Sequence, residues 1–141
     1  MKTLKRINAP AMLGVFLIAL FLMAFVLPQE KKKGGTWNIP EKYKTMKNPY
    51  AGQKDLINVG KMLYAKNCKS CHGTNGKGDG PRAAGLTTHP GDFSNVTWQK
   101  NNTDGDLYYM AIIGRDEMPN FEKKIPDEQD RWSIIMYLRT L

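Results

Sequence analysis

Cys68-Lys69-Ser70-Cys71-His72 is the stretch that decides how this chain is read. It holds both cysteines of the 141-residue sequence, three positions apart, with a histidine directly after the second. Each thiol can add to one vinyl group of a haem, and the adjacent imidazole can ligate the iron. Other uses of the spacing fit less well. A structural zinc site takes four ligands, and His89 is the one further histidine, so both histidines would be needed. A thioredoxin-like redox pair opens a helix in a βαβ setting, and no strand pattern precedes Cys68. A disulfide across so short a loop would contribute little.

The residues before the motif predict a helix from Asp55 to Asn67 that runs straight into Cys68. Leu56, Val59 and Leu63 recur on one face with Tyr64 beside them, and Asp55 is placed to cap it. Gly60 weakens a helix interior by about 1 kcal/mol relative to alanine, which makes sense where a second helix must approach closely. After the motif, residues 73–102 are dense in Gly, Pro, Asn and Thr and predict a long irregular loop, of the kind a flat cofactor could give something to wrap. A second helix is expected over residues 103–113, opened by a Thr103/Asp106 capping box and ended by Gly114. A third is expected after Pro126. Asp127, Glu128 and Asp130 lie in its first turn, and Trp132, Ile134, Ile135, Tyr137, Leu138 and Leu141 are its apolar positions.

An iron held by His72 can take Met, His or nothing on its other side. Met118 is the candidate. It lies in the inter-helix loop Arg115-Asp-Glu-Met-Pro119, where a methionine has little packing reason to be, and Pro119 stiffens the chain after it. Met110 and Met136 sit in helices, where core packing is the default. His89 is the rival ligand, though a loop histidine is more often a surface group. The free ring nitrogen of His72 needs a second partner to fix its tautomer, and the Pro81 carbonyl in Gly80-Pro81 is the expected acceptor.

Charge and hydropathy divide the chain. The net charge of +8 comes from residues 1–54: three basic groups and no acid in 1–27, then seven lysines against Glu30 and Glu41 in 28–54. Residues 55–141 balance eleven basic against eleven acidic groups. Nucleic-acid binding predicts basic groups gathered on a folded face, so it is not expected. The seventeen residues from Ala11 to Leu27 are uncharged and almost wholly apolar, with Lys2, Lys5 and Arg6 before them. That length is at the short end of a membrane span. With no A-x-A-like cleavage site, an uncleaved signal-anchor is favoured over a cleaved signal peptide. The expected organisation is an N-terminal transmembrane helix in 1–27, a basic linker in 28–54 and a folded domain in 55–141. Trp37, Tyr43 and Tyr50 in the linker could meet a membrane interface or a partner, or simply pack on the domain.

Residues 55–141 resemble the class I cytochromes c. Gly60, Tyr64, Cys68, Cys71 and His72 follow that family's G-x3-[FY]-x3-C-x2-C-H spacing. Gly73-Thr-Asn-Gly76-Lys-Gly78-Asp-Gly80-Pro81 resembles its glycine-rich loop, Met118-Pro119 its distal methionine, and Trp132 with Ile134–Leu138 its C-terminal helix. The resemblance implies an all-α fold of three to five helices around one haem c bound covalently through Cys68 and Cys71. His72 and Met118 would be its axial ligands, and the C-terminal helix would cross the first at Gly60 and Tyr64. It implies one-electron transfer rather than enzymatic turnover. Because c-type haem is attached outside the bacterial cytoplasmic membrane, it also implies a haem domain on the periplasmic side. The expected partners are the membrane and redox proteins, as a subunit of a respiratory complex. A tethered shuttle between complexes, or a gas or peroxide sensor with a labile Met118, are the alternatives.

Overall fold

The computed structural model describes residues 34–141. The apolar run Ala11–Leu27, with the transmembrane expectation resting on it, lies outside the described residues. Among the described residues, no helix is long and apolar enough to cross a membrane.

The described chain is helical, with an isolated antiparallel bridge between Arg115 and Met118. The elements are α1 (Glu41–Lys44), α2 (Leu56–Asn67), α3 (Lys69–His72), a 3-10 turn (Ala83–Gly85), α4 (Val96–Asn101), α5 (Asp104–Tyr108) continuing as a π-helical turn (Tyr109–Ile113), and α6 (Glu128–Leu138).

The crossing of α2 and α6 organises the core. A Cβ on Gly60 would stand 1.9 Å from the Ser133 carbonyl oxygen, so the two backbones touch where only hydrogen fits. One turn on, Tyr64 packs its ring 5.2 Å from that of Tyr137. The most deeply buried positions of α2 are Gly60 and Tyr64, while Leu56, Val59 and Leu63 are only half-buried. Asp55 makes no side-chain cap, contrary to expectation. The first N–H groups of α2 are satisfied instead by the preceding turn, with Leu56, Ile57 and Asn58 donating to the carbonyls of Gln53, Lys54 and Asp55.

Helix α6 is the central rod. Asp127 accepts from the N–H groups of Gln129 and Asp130, capping it directly after Pro126. Trp132, Ser133, Ile134 and Ile135 are all at most 1% exposed, so the helix is buried nearly all round. Ser133 tolerates this because its hydroxyl donates to the Asp130 carbonyl at 2.6 Å.

The capping box predicted for the second helix is present: Asp106 N–H donates to Thr103 Oγ1, and Thr103 N–H to Asp106 Oδ2. The helix then widens at Tyr109, where an α-helix was expected to continue. Gly114 N–H donates to the Tyr109 carbonyl and closes this wider turn. Met110 and Ile112 point into the core from it.

Two segments depart from the sequence reading. Residues 73–102 are not wholly irregular, because Asn95 caps a helix over Val96–Asn101 by accepting from the Trp98 N–H. The segment from Gly35 to Tyr50 lies along the domain. Trp37, Ile39, Tyr43, Met46 and Tyr50 pack against the core cluster, so packing on the chain's own domain is the reading of these aromatics that the structure has. Tyr43 stacks 6.3 Å from Tyr108 and sits 4.8 Å from Tyr109. Its carbonyl oxygen would be 1.8 Å from a Cβ on Gly105, so the strap seats on backbone as well as on side chains.

Candidate haem site

The motif folds as a single helical turn. Cys71 and His72 N–H both donate to the Cys68 carbonyl, and Gly73 N–H donates to that of Lys69. Positions three and four apart share a helix face, so Cys68, Cys71 and His72 are brought to one side. The carbonyls at the end of this turn have no partners within it. The glycine-rich loop supplies them: Gly78 N–H donates to His72, Gly80 N–H to Cys71 and Arg82 N–H to Ser70. The hydroxyl of Tyr64 donates to the Gly73 carbonyl at 2.8 Å, tying α2 to the start of the same loop.

Both cysteines are half-buried free thiols. Desolvation pushes the Cys68 thiol up to about 12, with Lys124 opposing the shift and Cys71 adding to it. His72 is 7% exposed. Burial lowers its pKa to about 4; His89 adds to the effect and the Pro90 carbonyl opposes it. A neutral imidazole is the form that ligates a metal. Its ring stacks on Phe93 at 4.5 Å, and Phe93 in turn stacks on Trp98 at 5.2 Å.

His72 Nδ1 is buried with no hydrogen-bond partner. An orphaned polar atom of this kind, in a neutral ring beside two free thiols on one turn, fits a haem bound through the motif. The same observation bears on Pro81. Its loop is held against α3 through Gly80 and Arg82, but Pro81 is exposed and its carbonyl is not the partner of Nδ1. His89 Nδ1 accepts from the Gly91 N–H, a local turn bond.

Met118 is half-buried and, like Cys68, packs against the main core cluster. Its loop folds back sharply. Met118 N–H donates to the Arg115 carbonyl, and Asp116 at the tip has φ 50°, which aspartate tolerates better than most residues. Phe121 N–H then donates to the Ile112 carbonyl, fixing the return of the chain.

Sequence reasoning missed Phe93 as the neighbour of His72. A lone aromatic in the polar run Pro90-Gly-Asp-Phe-Ser-Asn95 was the available signal. It also missed the hydroxyl of Tyr64 as a tie to the motif loop.

A comparison with curated proteins gave no match. The cytochrome c family model matches residues 57–141, more than half of the chain, and spans the motif turn, the glycine-rich loop, Met118 and α6. The chain belongs to the cytochrome c family, and haem c bound through Cys68 and Cys71 is its cofactor.

Proposed function

We propose that this chain carries single electrons with His72 and Met118 as the axial ligands of its haem iron, at the outer face of a membrane, as a subunit of a respiratory complex. The family supports haem-based electron transfer. The observation that carries the finer reading is the buried, neutral His72 with an unpartnered ring nitrogen, on the motif turn whose Cys68 packs against the same core cluster as Met118. When bound, the haem supplies a one-electron couple whose potential rises with Met/His ligation.

The residues of this chain have separable tasks. The thiols of Cys68 and Cys71 would hold the haem as two thioethers, each by addition of S–H across a vinyl double bond with nothing released. His72 offers an uncharged nitrogen, so no proton is lost on ligation. Met118 would offer the iron a neutral, soft thioether and so compete with any substrate for it. Phe93 and Trp98 back the imidazole and keep water from it.

Met118→Ala tests the ligand set. The oxidised wild-type protein is expected to show a thioether-to-iron charge-transfer absorption, and the variant is expected to lose it. An unchanged absorption would remove Met118 from the reading. Rapid carbon monoxide binding to the reduced wild-type protein would turn the assignment toward the gas or peroxide sensor.

Membrane placement rests on the uncharged stretch Ala11–Leu27 with basic residues before it. Orientation follows from the compartment in which c-type haem is attached. The membrane fraction should hold the haem through an alkaline wash and release it to detergent, and external protease should reach the domain in spheroplasts. Co-purification in mild detergent distinguishes a complex subunit from a tethered shuttle. The aromatics of residues 35–50 offer no docking surface for another subunit, because they are packed on the chain's own domain.

A further inference from the structure

Methionine is unbranched with three rotatable side-chain bonds, so it cannot by itself hold its sulfur at one point. The loop that carries it must do so. Asp116, Glu117, Pro119 and Asn120 are all exposed, so apolar burial does little to fix this loop. What fixes it is a pair of charged side chains in the three residues before Met118, which grip two different segments.

Arg115 reaches to the strap. Its guanidinium donates to the carbonyls of Gly35 and, at 2.8 Å, Thr36, and lies 3.9 Å over the ring of Trp37. Trp37 is in turn held edge-on against Tyr109. Glu117 reaches the opposite way. Its carboxylate accepts from the Thr87 and Thr88 N–H groups at 3.0 to 3.1 Å and from the Thr87 hydroxyl at 3.2 Å. The same turn is closed by the Met118 N–H, which donates to the Arg115 carbonyl. The two grips engage different segments, one before α1 and one after the 3-10 turn. Both use fork-shaped charged groups on backbone dipoles, an arrangement that is strong and directional.

We infer that Arg115 and Glu117 are positioning residues that hold Met118 at the iron, with the strap Gly35–Trp37 and the Thr87–Thr88 turn as the fixed points they grip. This rests on Met118 being the distal ligand. Either residue's loss frees one side of the loop, so an added ligand competes with Met118 more easily.

The test is imidazole titration of the oxidised holoprotein, read by loss of the thioether-to-iron absorption. Arg115→Ala and Glu117→Ala are each expected to raise the apparent imidazole affinity about tenfold, equivalent to about 1.4 kcal/mol. Arg115→Lys keeps the charge but cannot span two carbonyls and a ring, so it should fall between Arg115→Ala and wild type. Arg139→Ala is the control for general destabilisation. Arg139 binds Asp104, Gln99 and Asn102, away from this loop, and its loss should leave the affinity unchanged. If an alanine variant does not accumulate, Arg115→Lys or Glu117→Gln takes its place with the same criterion. A rise below about threefold for either side, or an equal rise in Arg139→Ala, overturns the inference. Failure of the ligand assignment looks different: Met118→Ala then keeps the wild-type absorption, which overturns both. A clamp failure alone leaves that absorption sensitive to Met118→Ala and the imidazole affinity indifferent to Arg115 and Glu117.

Discussion

Replacing Gly60 by alanine would put a methyl group 1.9 Å from the Ser133 carbonyl oxygen and 2.4 Å from its carbon. Both are backbone atoms in the middle of α6, so no rotamer change can clear them. Real Cβ contacts essentially never fall below 3.0 Å, so the helices must part by at least about 1 Å at the crossing. That separation would loosen the Tyr64–Tyr137 contact and the packing around Trp132, Ile134 and Ile135, which are all at most 1% exposed. Alanine returns about 1 kcal/mol in helix propensity. Overpacking costs about 1–3 kcal/mol where side chains can yield, and more where backbone cannot. The net loss is about 2–3 kcal/mol, which lowers the melting temperature of a domain this size by roughly 10 °C. Thermal unfolding of the holoprotein followed by far-UV circular dichroism measures it. Gly85→Ala is the reference, because nothing lies within 4 Å of a Cβ at that position. A Gly60→Ala protein that melts as high as Gly85→Ala would refute the close-crossing argument.

Four further outcomes are expected. Tyr64→Phe removes the donor to the Gly73 carbonyl and should cost about 1–2 kcal/mol in guanidinium unfolding. Desolvation raises the Tyr64 phenol above its ordinary value of 10.0, with Cys68, Tyr137 and Asp79 adding to the shift. The unfolded chain therefore loses that proton first, so the contribution is whole below about pH 10 and falls as pH rises further; the loss of stability above about pH 10 should be shallower in Tyr64→Phe. Thr103→Ala breaks the capping box and should cost about 1 kcal/mol by the same unfolding measurement. Trp37→Ala removes the surface under the Arg115 guanidinium and the edge contact on Tyr109, and hydrogen exchange should show faster opening of the strap.

Much of the fold was legible because it rests on local chemistry. The motif spacing, the Thr103/Asp106 capping box and the acidic start of α6 are short-range signals, and each appears in the structure where the sequence put it. Gly60 was legible for another reason: a glycine inside a helix invites the question of what must come close. The widening at Tyr109 carries no such mark, since an apolar stripe reads alike for α and π geometry. Helix α4 is six residues long and sits inside a polar run, so its Asn95 cap was masked by its surroundings. The clamp around Met118 was out of reach. Its hydrogen bonds join residues 29 to 30 and 79 to 80 positions apart, and nothing local in Arg115 or Glu117 names those partners.

Chain that is packed down cannot be paid out. All twenty-seven residues of 28–54, fully extended, would reach roughly 90 Å from an anchor, but Gly35 onward is committed to the domain. For the anchored arrangement proposed here, no more than residues 28–34 separate the proposed anchor from that packed segment, at most roughly 25 Å of chain. A tether of that length would keep the haem close to the proposed anchor. Its electron partners would then have to come to it or already stand beside it, and a fixed place in an assembly would suit that radius better than a swing between distant ones.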